Sequence, residues 1–326
     1  MLVAIGRALA CAALGFFLMQ APAVRAQTFP SRPITIILPF AAGGGLDINL
    51  RTIARKVEAM TGAIIVVENR AGAGGTVGVM AAKSATPDGY TLIQVDHGNF
   101  ASNVTLVKTL PYDPVKDFQP ITRFYLSQTI LNVTAGLPAR TVKELAELAS
   151  TKPGGLTYAS QGTGSGGHLS GAMFQKAIGA PLVHVPYNNT GLLRQDLIRG
   201  RVDMLFNNYG SAKADIESGN TRVLAIAAPQ RLDLLPDVPT MAEAGYPGVE
   251  LETWFGLAAP AGVDRAIAQK LHDMFAAALG TPEIVAFFKV QGFTVSPSMP
   301  GEFADQIRRD IARMAAIIKD AGVATR

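Results

Sequence analysis

Three glycine-rich loops, each set between a short apolar run and a helical stretch, constrain this chain more than any other feature. They occupy residues 40–47 (FAAGGGLD), 69–75 (NRAGAGG) and 161–168 (QGTGSGGH). The run before the first, Ile34–Leu38, suits a strand buried on both faces. After it, Leu50, Ile53, Ala54, Val57 and Met60 share one face at helical spacing. They predict a helix over about 47–60 that Gly62 ends. A strand at 63–68, a short helix at 76–84, the turn Pro87-Asp88-Gly89 and a strand at 90–95 complete a first series. A second series has strands at 156–160, 182–186, 202–206 and 223–228, with helices starting near His168, Gly191 and Ser211. Strands alternating with helices imply parallel sheets covered on both faces.

Between the series, residues 118–133 read as a strand-like crossing. Thr141 and Glu144 form a capping box that opens a helix to about Ser150. Residues 232–248 are proline-rich and read as a loop, and 251–259 as the return crossing. Helices at 264–279 and 300–321 follow. The last carries the apolar stripe Phe303, Ile307, Ile311, Met314 and Ile318, a core signature. The organisation is therefore two α/β lobes of parallel type joined by two crossing strands. Lobe 1 spans 27–127 with 246–326, and lobe 2 spans 128–245.

Residues 1–26 read as a secretory leader. Arg7 precedes the apolar run 8–19, Pro22 breaks it, and Val24-Arg25-Ala26 suits cleavage after Ala26. Twelve apolar residues are too few for a stable membrane anchor. The single cysteine, Cys11, lies in that run behind a poor lipobox, so the mature chain has no thiol or disulfide. Removing Arg7 and Arg25 from 29 basic residues leaves 27 against 25 acidic, a net +2. That balance carries no basic stripe for nucleic acid. With 48% hydrophobic and 17% charged residues, the chain is not disordered.

Ligands of open α/β sheets bind at the carboxyl ends of the strands. There, glycine lets the backbone turn sharply, and free amides at a helix start point at an anion. The candidate ligand-binding residues are accordingly Phe40, Ala42, Gly43 and Gly44 after the first strand and His97 after the third. In lobe 2 they are Ser160, Thr163, Gly164 and Ser165, with Tyr187 and Asn207 at the ends of the following strands. Asp47 reads as an anchor of its loop, because a carboxylate there would repel an anionic ligand. Trp254 is balanced between core and cleft cover. His184 in mid-strand and His272 in mid-helix read as structural.

Catalytic patterns are mostly missing. Gly162-x-Gly164-x-x-Gly167 fits the dinucleotide fingerprint formally, but the next strand ends Val185-Pro186-Tyr187-Asn188 without the acidic residue. There is no Walker A motif, no Gly-x-Ser-x-Gly elbow and no His-Glu-x-x-His. No catalytic residue, metal or cofactor is expected. An exported α/β hydrolase is the rival reading. It needs a serine held by a base, and the sequence assembles no such pair.

Eight stretches carry a specific resemblance: 30–34 (PSRPI), 39–47 (PFAAGGGLD), 67–75 (VENRAGAGG), 87–92 (PDGYTL), 110–118 (LPYDPVKDF), 184–187 (HVPY), 235–240 (LPDVPT) and 254–260 (WFGLAAP). In them the chain resembles the Bug family of periplasmic solute receptors, the extracytoplasmic binding components of tripartite tricarboxylate transporters. The resemblance implies a type II periplasmic-binding-protein fold that closes like a hinged trap on a small carboxylic acid. It implies a carboxylate held by backbone and hydroxyl groups of 160–165, with bridging waters against 40–45. Expected partners are that acid and membrane permease subunits, with the receptor a periplasmic monomer; presentation of ligand to a sensor, without transport, is the alternative. The chain departs from the family pattern at Gly45-Leu46, at Asn188-Asn189 and at Asn207. The last stands where many members carry an acid, which points to a ligand without an ammonium group.

Overall fold

A computed structural model describes residues 29–325. The leader, with Cys11 and the cleavage point after Ala26, lies outside the described residues.

Two mixed sheets organise the chain. The first takes β1 (Ile34–Leu38), β2 (Ile65–Asn69), β3 (Thr91–Asp96), β4 (Phe118–Ser127), β10 (Thr253–Pro260) and β11 (Phe293–Val295), in the order β11-β4-β10-β3-β1-β2. The second takes β5 (Thr129–Thr134), β6 (Leu156–Ser160), β7 (Leu182–Pro186), β8 (Met204–Asn208) and β9 (Thr221–Ile226), in the order β7-β6-β8-β5-β9. Each has a parallel part, β2-β1-β3 and β7-β6-β8. The crossing strands add to it antiparallel: β10 to β3 and β4, and β5 to β8 and β9. The stretch 118–133 is thus two strands in different sheets, broken at Gln128.

The helices are α1 (Gly45–Thr61), α2 (Thr76–Lys83), α3 (Asn103–Leu106), α4 (Val142–Thr151), α5 (Gly166–Ile178), α6 (Thr190–Ile198), α7 (Tyr209–Glu217), α8 (Arg265–Leu279), α9 (Pro282–Lys289) and α10 (Pro300–Asp320). Gly62 closes α1 at φ 71°, a left-handed conformation that suits glycine. Thr141 caps α4 by accepting the Glu144 amide at 3.1 Å. The Glu144 carboxylate completes the box one residue early, on the Arg140 amide at 2.7 Å. The sequence reading missed α3, α9 and β11, which are short, and set β8 two residues early. Val202-Asp203 precedes the strand, and there the Asp203 carboxylate accepts from the Thr157 amide and hydroxyl and from Lys152.

Each sheet has its own core. Ile37, Val79, Ile93, Phe100, Phe118 and Trp254 fill the first, and Leu131, Leu145, Tyr158, Phe174, Met204 and Phe206 the second. A smaller cluster joins the halves: Leu106 of the first sheet's side meets Leu169 of α5, Leu251, and Met314 and Ile318 of α10. The glycine loops therefore end up at strand carboxyl ends on both sides of one molecule, with apolar contact between the sides. Among the described residues, no helix is long and apolar enough to cross a membrane.

Candidate functional site

The loop after β1 is exposed from Ala41 to Gly45. Gly43 has φ 78° and no neighbour near its missing side chain, so glycine there serves the turn and keeps the backbone open. Asp47 ties the loop down. Its carboxylate accepts from the Gly43 amide (3.0 Å), Arg51 Nε (2.9 Å) and Asn69 Nδ2 (3.0 Å). Asn69 Nδ2 also reaches the Phe40 carbonyl at 3.2 Å, joining the first two glycine loops. Burial pushes the Asp47 pKa up, but those donors together hold it below the usual carboxylate range. Asp47 is buried and turned into this node, as an anchor rather than an anion contact.

On the second side, Ser160 ends β6 and is fully buried. Its Oγ lies 2.6 Å from His184 Nε2 and 3.1 Å from both the amide and the carbonyl of Gly162. Gly162 and Gly164 take φ 110° and 81°. The Gly164 amide donates to His168 Nδ1 at 2.9 Å, which places the proton of neutral His168 on Nε2. Ser165 caps α5, accepting the His168 amide at 3.4 Å. Gly164's amide is spent within the loop. At the surface the loop keeps the exposed Thr163 and the half-buried Gly166, whose first-turn amide has no intrahelical acceptor, while Gly167 is buried.

Beneath this loop the imidazoles of His168 and His184 stack at 3.8 Å and 6°, with the Tyr158 ring 5.0 Å from His184. Burial, and then the like charge of His184, bring the His168 pKa down to about 4; burial also lowers His184. Both rings are neutral near pH 7 and serve as a rigid floor. The serine–histidine contact is the pair that the sequence did not assemble. Its signal lies in the β6–β7 register, which sets His184 opposite Tyr158, two residues before Ser160. Ser160 Oγ is held by Gly162 and closed off from solvent, so the pair locks the loop and leaves no exposed nucleophile.

The remaining candidates are more dispersed. The Tyr187 hydroxyl donates to Asp196 at 3.0 Å. His97 is 5% exposed and stands edge-on to Trp254 at 5.9 Å. Burial brings its pKa to about 4, with Asp310 pulling it up and Arg313 down. Trp254 belongs to the core: it is 1% exposed, and its Nε1–H donates to Asp310 at 2.7 Å. Asn207, at the end of β8, donates Nδ2 to Ser211 Oγ at 3.1 Å.

The structure thus groups Ser160, Thr163, Gly164 and Ser165 at one helix start. Leu106 abuts Gly164, and Leu251 and Thr253 lie beside Gly166. Phe40, Ala42, Gly43 and Gly44 stand at the end of β1. Among the described residues, no hydrogen bond joins them to 160–165.

Comparison with known proteins fits this arrangement. Residues 49–323 match the model of the tripartite tricarboxylate transporter family receptor. BugT of Bordetella pertussis is 33% identical over 315 residues, 95% of this chain and 97% of its own. Among solved structures, Rpa4515 of R. palustris with adipate is 33% identical at a TM-score of 0.82, covering 91% of this chain and 99% of its own. MatC of Rhodopseudomonas palustris with bound malate is 30% identical at a TM-score of 0.76, covering 89% and 100%. The chain belongs to the tripartite tricarboxylate transporter receptors, the Bug-type periplasmic solute-binding proteins.

Proposed function

We propose that this protein captures a small carboxylic acid outside the cytoplasm, by closure of lobe 1 (27–127 with 246–326) on lobe 2 (128–245), and passes it unchanged to membrane permease subunits. The reading rests mainly on one observation: a half-buried glycine loop with Thr163 exposed, pinned by Ser160, His168 and His184, leads into the start of α5. First-turn amides and a threonine hydroxyl recognise a carboxylate through charge-assisted hydrogen bonds, each contributing about 1.5–3 kcal/mol. The α5 dipole adds about 0.3–1 kcal/mol. Relatives bound to adipate and to malate support this ligand class. In the mature protein, cleaved after Ala26, the 40–45 loop closes from the other side. The buried Ser160 hydroxyl supports binding without turnover.

A thermal-shift screen of mono-, di- and tricarboxylates, followed by calorimetry, tests the reading. A true ligand at a hundredfold excess over its Kd stabilises by about 2.7 kcal/mol. Thr163→Trp should remove that gain while the unliganded melting temperature holds. NMR should recover the acid unaltered. Stabilisation by neutral sugars alone would overturn the proposal.

A further inference from the structure

The second sheet carries a polar feature that the carboxylate loop leaves unused. In the β5–β8 register, Asn132 lies opposite Leu205 and Asn207 opposite Ile130. The two asparagines therefore share one face of adjacent antiparallel strands, two positions apart. Asn132 is 1% exposed, and its Oδ1 has no hydrogen-bond partner. The Oδ1 of Asn207 is likewise buried and unpartnered. Its orientation is set by Ser211. That hydroxyl donates to the Asn208 carbonyl at 2.9 Å, so it accepts the Asn207 Nδ2 proton at 3.1 Å, and Oδ1 is left as an acceptor. Buried amide oxygens are nearly always paired, so two unpaired ones on a single face call for a donor.

Both asparagines line one recess of ≈30 Å³, together with Gln161 and Thr190. Gln161 links this recess to the carboxylate loop. It directly follows Ser160, and its Oε1 lies 3.4 Å from where a Cβ on Gly167 would sit. The charges at the rim, Arg194 and Asp215, are paired through two hydrogen bonds, one of them Nη2 to Oδ1 at 2.7 Å. The lining thus holds no spare negative charge for an ammonium group, while two carbonyl oxygens repel a carboxylate. The volume admits about two waters, or a single hydroxyl or carboxamide.

We propose that this recess is a second ligand subsite, which takes a neutral hydrogen-bond donor, a hydroxyl or carboxamide, from an acid whose carboxylate sits at the start of α5. The proposal rests on the carboxylate-binding reading above and narrows its ligand class to hydroxy or amide monocarboxylates.

The test is calorimetry on two matched series: butanoate, 4-hydroxybutanoate, succinamate and succinate, and the six-carbon set of hexanoate, 6-hydroxyhexanoate, adipamate and adipate. In at least one series the hydroxy or amide acid should bind about tenfold or more tighter than both the methyl-ended and the dicarboxylate members, the effect of one well-made hydrogen bond. In Asn132→Leu that selectivity ratio should collapse towards one, with the melting temperature equal to or above wild type, because a buried unpaired amide is gone. Equal affinity for all members, or a ratio unchanged in Asn132→Leu, would overturn the subsite while leaving carboxylate capture intact. Failure of every acid to bind wild type would instead sink the underlying reading, and the subsite with it.

Discussion

Gly164→Ala separates the cost of building the binding loop from the cost of closing it. Gly164 holds φ 81°, where an L side chain costs about 1–2 kcal/mol. That strain lies within the second half and is present whether or not the halves meet, so it lowers melting stability alone. The new methyl group also falls inside the Leu106 side chain, with Cδ2 at 3.1 Å and Cγ at 3.3 Å from the added Cβ and Cδ1 nearer still. Leu106 is 3% exposed and packed among Ala101, Leu169, Leu251, Met314 and Ile318, so it has little room to yield. Overpacking of this kind costs about 1–3 kcal/mol. Leu106 comes from the first half of the fold, and the collision exists only when the halves are together. If ligand binding draws them together, that second cost is subtracted from affinity, and Kd should rise about 5- to 150-fold. Calorimetry with the acid that most stabilises wild type gives Kd, and thermal melting gives the strain. In Leu106→Ala/Gly164→Ala most of the lost affinity should return relative to Leu106→Ala alone, because the colliding methyls are absent. A Gly164→Ala variant with a lower melting temperature but a Kd within twofold of wild type would refute the idea that this contact forms on closure.

Two further predictions concern the supports of the site. His168 is held neutral in the fold, with its pKa brought from 6.5 to about 4, so the unfolded chain binds the proton first. Stability is therefore full above about pH 6.5, falls as pH drops from 6.5 towards 4, and is flat below; the ceiling is about 3 kcal/mol, reduced to about 1–2 kcal/mol because the ring borders an open recess against α10. His168→Asn keeps an acceptor near the Gly164 amide and should shrink this acid loss in denaturant titrations at pH 7 and pH 4.5; an unchanged pH slope would contradict the assignment. Asp47→Asn replaces a carboxylate that takes three donors by an amide that must present its own N–H groups to them. It should lower unfolding free energy by about 1–3 kcal/mol and speed amide exchange at Gly43, whereas wild-type exchange there would show that the node does not hold the loop.

How far the sequence reaches follows from which signals are local. The stripe of α1, the capping of α4 and the helix stop at Gly62 were all legible, because each depends on residues within a few positions of one another. So were the three glycine loops and their placement at strand ends. What pairs with what was not legible. The contact between Ser160 and His184 needs β6 beside β7 in a defined register, and 24 residues separate the two. His184 read as structural from its mid-strand position, and it is structural; only the pairing showed that it holds Ser160 at the base of the loop after β6. Trp254 was undecidable between core and cleft until Asp310, 56 residues away on α10, accepted its indole N–H. Asn132 gave no signal, since one polar residue within an apolar strand looks the same whether its amide meets solvent, a neighbour or a ligand.

The same contrast bears on specificity. In the proposed site the groups that would hold a carboxylate are mostly backbone amides, and their placement is encoded by glycines and a cap that many sequences of this fold can supply. A shared carboxylate end is therefore compatible with many different acids. Discrimination must come from side chains that meet the other end of the ligand. On the second side the proposed ones are the polar residues of β5, β8 and the turn after β6, where the Asn132 and Asn207 amide oxygens are buried without a hydrogen-bond partner. Exchanging these residues should change which acid is bound while leaving capture of the carboxylate in place, because the two proposed functions are built from different atoms, side chains of β5 and β8 for one and the start of α5 for the other.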